Sequence, residues 1–243
     1  MVRRLGSMIS ATNGRVSTVG HSPAQLYAEA ARYYNGDGVR KDWRRAFSFT
    51  RQAAQEGYPV AMDALGSYYT YGIGVRRNLQ LGSRWYRRAA QRGDINGQYN
   101  LALAYAEGSG LRRNYRQALR WLREPVHRRM PEALHILGRF YRFGCGVKKQ
   151  PRKGYQLLAR AAHRGIPDAM FSVAYCLSKG EGVRADPREA FRWYLKAAKK
   201  GHSDAAHNVA YFYETGRGVR KSPRQAERWY QRADALNKKN RAI

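Results

Sequence analysis

Apolar residues recur along the chain at three- and four-residue steps, in short stretches that end in glycine. In the stretch from Ala61 to Tyr71, the apolar positions Ala61, Leu65 and Tyr68 fall on one face of a helix. The segment Gly72-Ile73-Gly74 follows. Glycine accepts the left-handed conformation that helix C-termini commonly adopt, so the helix should end there. The pattern predicts a helix followed by a tight turn.

A second helix is predicted directly after this turn. Asn78 is a good N-cap residue, since its side chain can accept a hydrogen bond from the first turn of a helix. The residues from about 79 to 91 then carry Trp85 and two alanines on one face, and Gly93 closes the segment. Together the two stretches predict a helical hairpin.

The hairpin recurs six times at a constant spacing of 36 residues. A fixed period of this length is typical of stacked repeat proteins, in which each unit contacts mainly its neighbours. We therefore predict an all-α fold, an α/α superhelix (solenoid) of six 36-residue helix–turn–helix repeats. The Gly-x-Gly pairs that mark the period are Gly36/Gly38, Gly72/Gly74, Gly108/Gly110, Gly144/Gly146, Gly180/Gly182 and Gly216/Gly218.

The period also sets the predicted domain boundaries. Residues 1–24 form a basic, disordered N-terminal leader, and residues 241–243 form a C-terminal tail. The repeats between them span residues 25–60, 61–96, 97–132, 133–168, 169–204 and 205–240. The leader contains three arginines, no acids and several Ser and Thr residues, so its composition also fits a mitochondrial transit peptide or the leader of a secreted effector.

The third unit departs from the pattern near its end. It carries Glu124-Pro125-Val126 where other units have paired alanines, and Arg129 replaces the closing glycine. A proline this late in a helix should kink or shorten it. We therefore expect a local change of superhelical curvature at this unit.

The fifth unit shows the repeat motif in its most complete form. It contains Ala169, Val173-Ala174, Gly180-Glu181-Gly182-Val183, Glu189-Ala190, Trp193-Tyr194, Lys196-Ala197-Ala198 and Gly201. This pattern resembles the Sel-one-like repeat, a relative of the tetratricopeptide repeats, and the resemblance covers residues 25–240. It implies a scaffold or adaptor in protein complexes, without catalytic residues. The cysteine-rich branch of that family has a disulfide in each repeat, and this chain does not.

Charge is the second prominent feature of the sequence. Lys and Arg number 46 against 17 acids, giving a formal net charge of +29. The excess is spread along the repeats and peaks at +7 in the fourth unit, so no basic tail accounts for it. Such a field attracts nucleic acid, acidic proteins or an anionic membrane surface. The alternative is an arginine-rich solvated surface that serves solubility alone.

A partner-binding groove is predicted on the first helix of each unit, because first helices line the concave face of helical-hairpin solenoids. Asparagine side chains there could hydrogen-bond an extended peptide, and arginines could attract its acidic residues. The alternative is that the aromatic residues are core between repeats. The predicted groove residues are Asn100, His135, Arg139, Arg142, Tyr175, His207, Asn208 and Tyr211.

A basic ridge is predicted along one edge, where the turn of each unit carries cations after its Gly-x-Gly-Val or related segment. Cations at repeat spacing could contact an acidic protein or a phosphate backbone, with marked salt sensitivity. The alternative is a solvated rim. The ridge residues are Arg40, Lys41, Arg76, Arg77, Arg112, Arg113, Lys148, Lys149, Arg184, Arg220 and Lys221.

Other kinds of site have little support in the sequence. The six histidines show neither metal-ligand nor catalytic-triad spacing, and the Gly-x-Gly pairs end helices instead of following strands as phosphate loops do. We therefore expect no enzyme activity, metal, cofactor or small-molecule substrate. No stretch reaches the roughly 18 apolar residues of a membrane span, so we expect a soluble protein. Two cysteines, Cys145 and Cys176, are read as free thiols of a reducing compartment such as the cytoplasm.

Two functions follow from these features. The first is a non-enzymatic scaffold that binds an acidic protein or peptide through the concave groove and the basic edge. The second is a nucleic-acid-associated or ribosome-associated protein whose ridge contacts phosphate.

Overall fold

The computed structural model describes residues 20–241, with side chains described to residue 239. This part of the chain contains twelve helices and no strand. The first eleven helices have 13 residues each. Their bounds are α1 Pro23–Asn35, α2 Trp43–Gln55, α3 Pro59–Tyr71, α4 Leu79–Gln91, α5 Ile95–Glu107, α6 Tyr115–His127, α7 Pro131–Phe143, α8 Pro151–His163, α9 Pro167–Lys179, α10 Pro187–Lys199, α11 Ser203–Thr215 and α12 Pro223–Arg241.

The helices pack as six hairpins in a single row. Each odd-numbered helix packs against the even-numbered helix that follows it, and each hairpin packs on the next. We call the odd-numbered helices the first-helix layer and the even-numbered helices the second-helix layer. Helices α3 and α5 also contact each other directly, as expected on the concave side of a curved stack. The predicted all-α solenoid of six helix–turn–helix repeats is confirmed.

The helix ends explain why the sequence folds at this period. The first glycine of every Gly-x-Gly pair has a positive φ, between 72° and 88°, and ends a first helix. Asn78 accepts a hydrogen bond from the first turn of the following second helix, as predicted, and Asp42 and Asn114 do the same in their units. At Ser222 the hydroxyl accepts from the Gln225 N–H at 3.4 Å, and the Ser222 N–H donates to the carbonyl of Tyr213.

The N-terminal end of the stack has a cap that the sequence reading overlooked. The Ser22 hydroxyl accepts from the Gln25 N–H at 3.3 Å, and the Gln25 side chain accepts from the Ser22 N–H at 2.7 Å. Helix α1 therefore begins at Pro23, inside the predicted leader, and first helices elsewhere begin at 59, 95, 131, 167 and 203. The rest of the leader, residues 1–19, and the end of the tail, residues 242–243, lie outside the described residues.

Close helix contact within a hairpin depends on small residues facing large ones. A Cβ on Gly66 of α3 would lie 2.5 Å from the ring of Tyr86 in α4 and 3.1 Å from the carbonyl oxygen of Gly82. Only a residue without a side chain fits there. The ring fills the space that the missing side chain leaves, which is how packed layers interlock without voids.

The third unit keeps its second helix despite the proline. Helix α6 has 13 residues, so the predicted shortening is wrong. Pro125 is buried and its carbonyl accepts from Met130 N–H at 2.9 Å. Arg129 adopts φ 57°, the left-handed conformation that glycine takes at the equivalent position of units one, two, four and five. Packing between α6 and α7 is less extensive than between other successive hairpins, and the change of curvature stays a prediction.

Candidate partner-binding surfaces

Consecutive turns stack directly on one another. The second glycine of a Gly-x-Gly pair lies against the start of the second helix in the preceding unit. Gly110 abuts the carbonyl of Leu79, and Gly182 abuts that of Pro151, so closely that any side chain at either glycine would collide with the backbone. Gly74 and Gly218 make the same contact with the carbonyls of Trp43 and Pro187, whereas Gly146 lies against Tyr115 and the Leu119 side chain. The turns therefore follow one edge of the stack at the repeat spacing.

All eleven residues of the basic ridge are exposed. None of them belongs to an ion pair among residues 20–239. Several lie over neighbouring side chains or backbone: the Arg77 Nε donates to the Thr70 carbonyl at 3.0 Å, and Arg113 lies over the Tyr115 ring. The edge thus presents a row of cations that remain available to an external anion.

The predicted groove asparagines are already engaged within the protein. The Asn100 Nδ2 donates to an Asp63 carboxylate oxygen at 2.8 Å, which joins α5 to α3. Burial raises the pKa of the Asp63 carboxyl to about 6, and the bond from Asn100 opposes that rise. The Asn208 Nδ2 donates to the Asp204 carbonyl one turn earlier in its own helix. In each amide one N–H is thus engaged within the protein.

Two more predicted groove residues lie in the core between units. His135 is buried, its Nε2 atom has no hydrogen-bond partner among the described atoms, and burial lowers its pKa to about 4. Arg142 is also buried and donates to Glu181, and its guanidinium lies 4.7 Å and 4.6 Å from the ring centroids of Phe143 and Tyr175. Arg142 therefore contributes to the packing of units four and five.

The remaining predicted groove residues are accessible. Arg139, His207 and Tyr211 are exposed, and Tyr175 is half-buried beneath the Arg142 guanidinium. The His207 ring packs edge-on against the Tyr230 ring, with 5.0 Å between the two ring centroids. Tyr71 and Phe143, the last residues of α3 and α7, add two large rings to this surface and are 72% and 54% exposed, while Tyr211 is 43% exposed. The accessible part of the first-helix layer is aromatic more than cationic.

The two helix layers carry opposite charge. The six first helices contain four basic and seven acidic residues, whereas the six second helices contain 22 basic and four acidic residues. In α10, for example, Arg188, Arg192 and Lys196 follow one another at four-residue steps on the exposed face. The net charge of each whole repeat does not show this separation, because it adds the two helices together. The net charge of each predicted helix, taken from the sequence, shows it. The positive charge of the stack is therefore concentrated at the edge and on the second-helix layer.

Other chemistry has no support among the described residues. Residues 20–239 hold no group of three or more His, Cys, Asp and Glu side chains that could bind a metal ion. Cys145 and Cys176 are free thiols, and burial raises the pKa of the Cys176 thiol to about 11. None of the twelve helices combines the length and apolar character needed to cross a bilayer.

Comparison with known proteins identifies the repeat. The family model of the Sel1 repeat matches six segments, residues 26–58, 59–94, 95–124, 131–166, 167–202 and 203–235. Among curated proteins, none matches the chain significantly.

Solved structures show the same architecture. A Sel1 repeat protein from Oxalobacter formigenes is 30% identical, with a TM-score of 0.82 over 87% of this chain and 85% of that one. A protective antigen of uropathogenic Escherichia coli strains, described as having an SLR fold, is 29% identical with a TM-score of 0.71. The match spans 88% of this chain and 46% of the antigen, so the present chain corresponds to about half of that protein's length. An immunity protein from Pseudomonas aeruginosa, 18% identical with a TM-score of 0.58, covers 88% of this chain and 82% of its own length and shares the fold.

Proposed function

The chain belongs to the Sel1-repeat family, and on that premise we propose that it is a scaffold that binds an acidic protein partner along its basic ridge. Sel1-repeat proteins generally mediate protein–protein interaction and are generally non-enzymatic. The observation that carries the proposal is the row of eleven exposed cations, none paired within residues 20–239, on turns that stack along one edge. The second-helix layer extends the same positive field.

The first-helix layer has a different part in this proposal. Its helices carry more acids than bases, and Arg142 is occupied by Glu181. It therefore offers little attraction to acidic residues. Its exposed rings, Tyr71, Phe143 and Tyr211, instead suit the apolar and aromatic residues that dominate the centres of protein interfaces. A partner that spans both surfaces would place acids at the edge and apolar side chains on the first helices. The two free thiols support a reducing compartment such as the cytoplasm as the site of this interaction.

A capture experiment with two charge-reversal variants tests the ridge. The full chain is immobilised, a nuclease-treated extract of its own cells is passed over it, and bound proteins are identified by mass spectrometry. The variant Lys148→Glu/Lys149→Glu should lose the acidic partners that the wild-type chain retains. The variant Lys238→Glu/Lys239→Glu changes the net charge equally at exposed residues away from the turns and should retain them.

The dependence of partner binding on salt and on the position of the substitution distinguishes binding at the ridge from attraction to the net charge of the whole protein. Partners held by the ridge should dissociate as the salt concentration rises, because exposed charges are screened over about 10 Å at 0.1 M ionic strength. Equal loss in both variants would mean that net charge alone retains the proteins. Retention by the Lys148/Lys149 variant would remove the ridge from the proposal.

A further inference from the structure

The first turn of the stack borders an open cleft of about 830 Å³. Its lining combines the ridge residues Arg40 and Lys41 with Arg44 and Arg45 at the start of α2 and with the aromatic side chain of Trp43. The equivalent positions in the other turns are Leu79, Tyr115 and three prolines. Tyr115 also has arginines beside it, but its ring is half-buried and packs against Phe140, whereas the Trp43 ring is exposed. Within residues 20–239, the first turn thus combines an exposed large ring with the neighbouring cations.

Trp43 does not serve the hydrophobic core. It is 50% exposed, whereas the other four tryptophans of the chain are buried or half-buried. It takes part in no aromatic pair among the described residues, although many rings of the first two units pair with one another. Tryptophan is among the residues that contribute most to binding when it is exposed in this way. Half of its surface is open to a ligand, with the Lys41 Nζ over the ring.

Three of the cations in the cleft are available as well. The Asp42 carboxylate accepts from the N–H groups of Arg44 and Arg45 as the α2 cap, and it pairs with the Arg45 side chain at 3.6 Å. Arg45 is thus partly neutralised. Arg40, Lys41 and the Arg44 side chain form no ion pair within residues 20–239. The Lys41 Nζ lies 5.0 Å from the Trp43 ring centroid, so a cation and an exposed π-surface are adjacent.

We propose that this cleft binds single-stranded nucleic acid, with a base stacked on the Trp43 ring and adjacent phosphates held by Arg40, Lys41 and Arg44. Proteins that bind single strands without sequence preference combine a cationic groove with aromatic rings on which bases stack. A nucleotide offers a flat base and a negative charge together, which matches the pairing of Trp43 with Lys41. The ridge then continues past Gly74, which also lines the cleft, towards Arg76 and Arg77 of the next turn. This binding goes beyond the proposed scaffold function and does not depend on it.

An acidic protein fits the cleft less well. Aspartate and glutamate side chains would satisfy the three cations, but they have no planar surface to cover the Trp43 ring. Stacking on the indole is therefore the contact that distinguishes the two kinds of ligand, and the experiment is built on it.

Fluorescence anisotropy with three labelled probes tests the proposal. The probes are an oligothymidylate of about 12 nucleotides, an abasic oligomer of equal length and charge, and an oligoglutamate peptide. The full chain should bind the oligothymidylate most tightly at low salt. Trp43→Ala should weaken that binding about tenfold through the loss of one stacked base. It should leave binding of the abasic oligomer unchanged, because phosphate contacts do not use the ring. Trp43→Phe should recover part of the loss.

A second pair of variants tests the cations. Lys41→Gln should reduce the salt dependence of oligothymidylate binding by about 0.7 in the slope of log K against log salt concentration, as expected for one lost phosphate contact with a single strand. Arg188→Gln, an equal charge change on the exposed face of α10, should leave the slope unchanged.

Three outcomes would overturn the proposal. One is tighter binding of oligoglutamate than of oligothymidylate, which would assign the cleft to an acidic protein. Another is an equal effect of Trp43→Ala on the oligothymidylate and the abasic oligomer. The third is an equal effect of Lys41→Gln and Arg188→Gln. Circular dichroism of each variant should show unchanged helix content, since Trp43 and Lys41 are exposed and outside the core.

Discussion

The guanidinium of Arg142 donates from Nε and Nη2 to one carboxylate oxygen of Glu181, at 2.9 Å and 2.7 Å. Arg142 is in α7 of the fourth unit, and Glu181 is the middle residue of the Gly-x-Gly turn in the fifth. Middle residues of two other turns also contact the preceding unit: the Ser109 carbonyl accepts from the Ser83 hydroxyl, and Arg217 donates to the Ser178 carbonyl. The variable position of the turn therefore joins neighbouring repeats.

Removing the carboxylate partner should destabilise the stack. Glu181→Gln leaves the Arg142 side chain, only 9% exposed, without its counter-charge. Because Glu181 itself is 26% exposed, we expect a loss of about 2 kcal/mol in the free energy of unfolding, between the values for buried and surface pairs. Urea unfolding followed by circular dichroism measures it. Glu29→Gln, which breaks the exposed Arg32–Glu29 pair, is the matched control and should cost less than about 1 kcal/mol. Equal effects of the two substitutions would contradict the prediction.

The left-handed arginine of the third unit is a site for stabilisation. Arg129 has φ 57°, whereas glycine occupies the equivalent turn position at 57, 93, 165 and 201. A side chain in this conformation costs roughly 1–2 kcal/mol, so Arg129→Gly should raise the free energy of unfolding by about 1 kcal/mol after the greater flexibility of glycine in the unfolded chain is counted. Thermal unfolding would show a higher midpoint. A lower midpoint would mean that the arginine makes a compensating contact.

Turn stacking predicts different costs for two similar glycine substitutions. Gly93 and Gly110 both have positive φ, at 83° and 70°, but a Cβ at Gly93 meets no atom within 4 Å, whereas one at Gly110 collides with the Leu79 backbone. Gly93→Ala should cost about 1 kcal/mol from backbone conformation alone. Gly110→Ala should cost at least about 2 kcal/mol more, because the two units must separate. Comparing their urea midpoints isolates the contact between units, and similar midpoints would argue against stacked turns.

Asp63 predicts a pH dependence of stability. Burial raises the pKa of its carboxyl from 3.8 to about 6, so the folded chain binds a proton more tightly than the unfolded chain. The resulting stabilisation is complete below about pH 4 and is lost as the pH rises through about 6. Asp63→Asn keeps an acceptor for the Asn100 amide and removes the buried charge. It should therefore be more stable than the wild-type chain at pH 7.5, by about 2 kcal/mol. The difference between the unfolding midpoints of the two proteins should grow between about pH 4 and 6 and level off above about pH 7. A constant difference from about pH 4 to 8 would contradict the assignment.

Much of the fold could be predicted because its signals are local. A glycine that must take positive φ and an asparagine or aspartate that caps a helix act within a few residues, and Gly72 and Asn78 marked helix ends that the structure confirms. The shortening expected of α6 does not occur, because the helix keeps its 13 residues around the buried Pro125.

The candidate sites were harder to predict because accessibility depends on the neighbouring unit. Nothing near Arg142 in the sequence indicates that its guanidinium donates to Glu181, 39 residues later. Likewise Asn100 looked free until the structure placed Asp63 within hydrogen-bond distance. The exposure of the ridge cations was easier to predict, because the turn between two helices faces solvent in each unit. Their function as a binding surface stays a prediction.

Stacked turns make the edge extendable. Because each turn rests on the helix start of the unit before it, inserting or removing one whole 36-residue unit would lengthen or shorten the row by one step and leave the spacing of the others unchanged. The number of units therefore sets the length of the row of cations, and with it the length of a ligand that could bind along the whole edge.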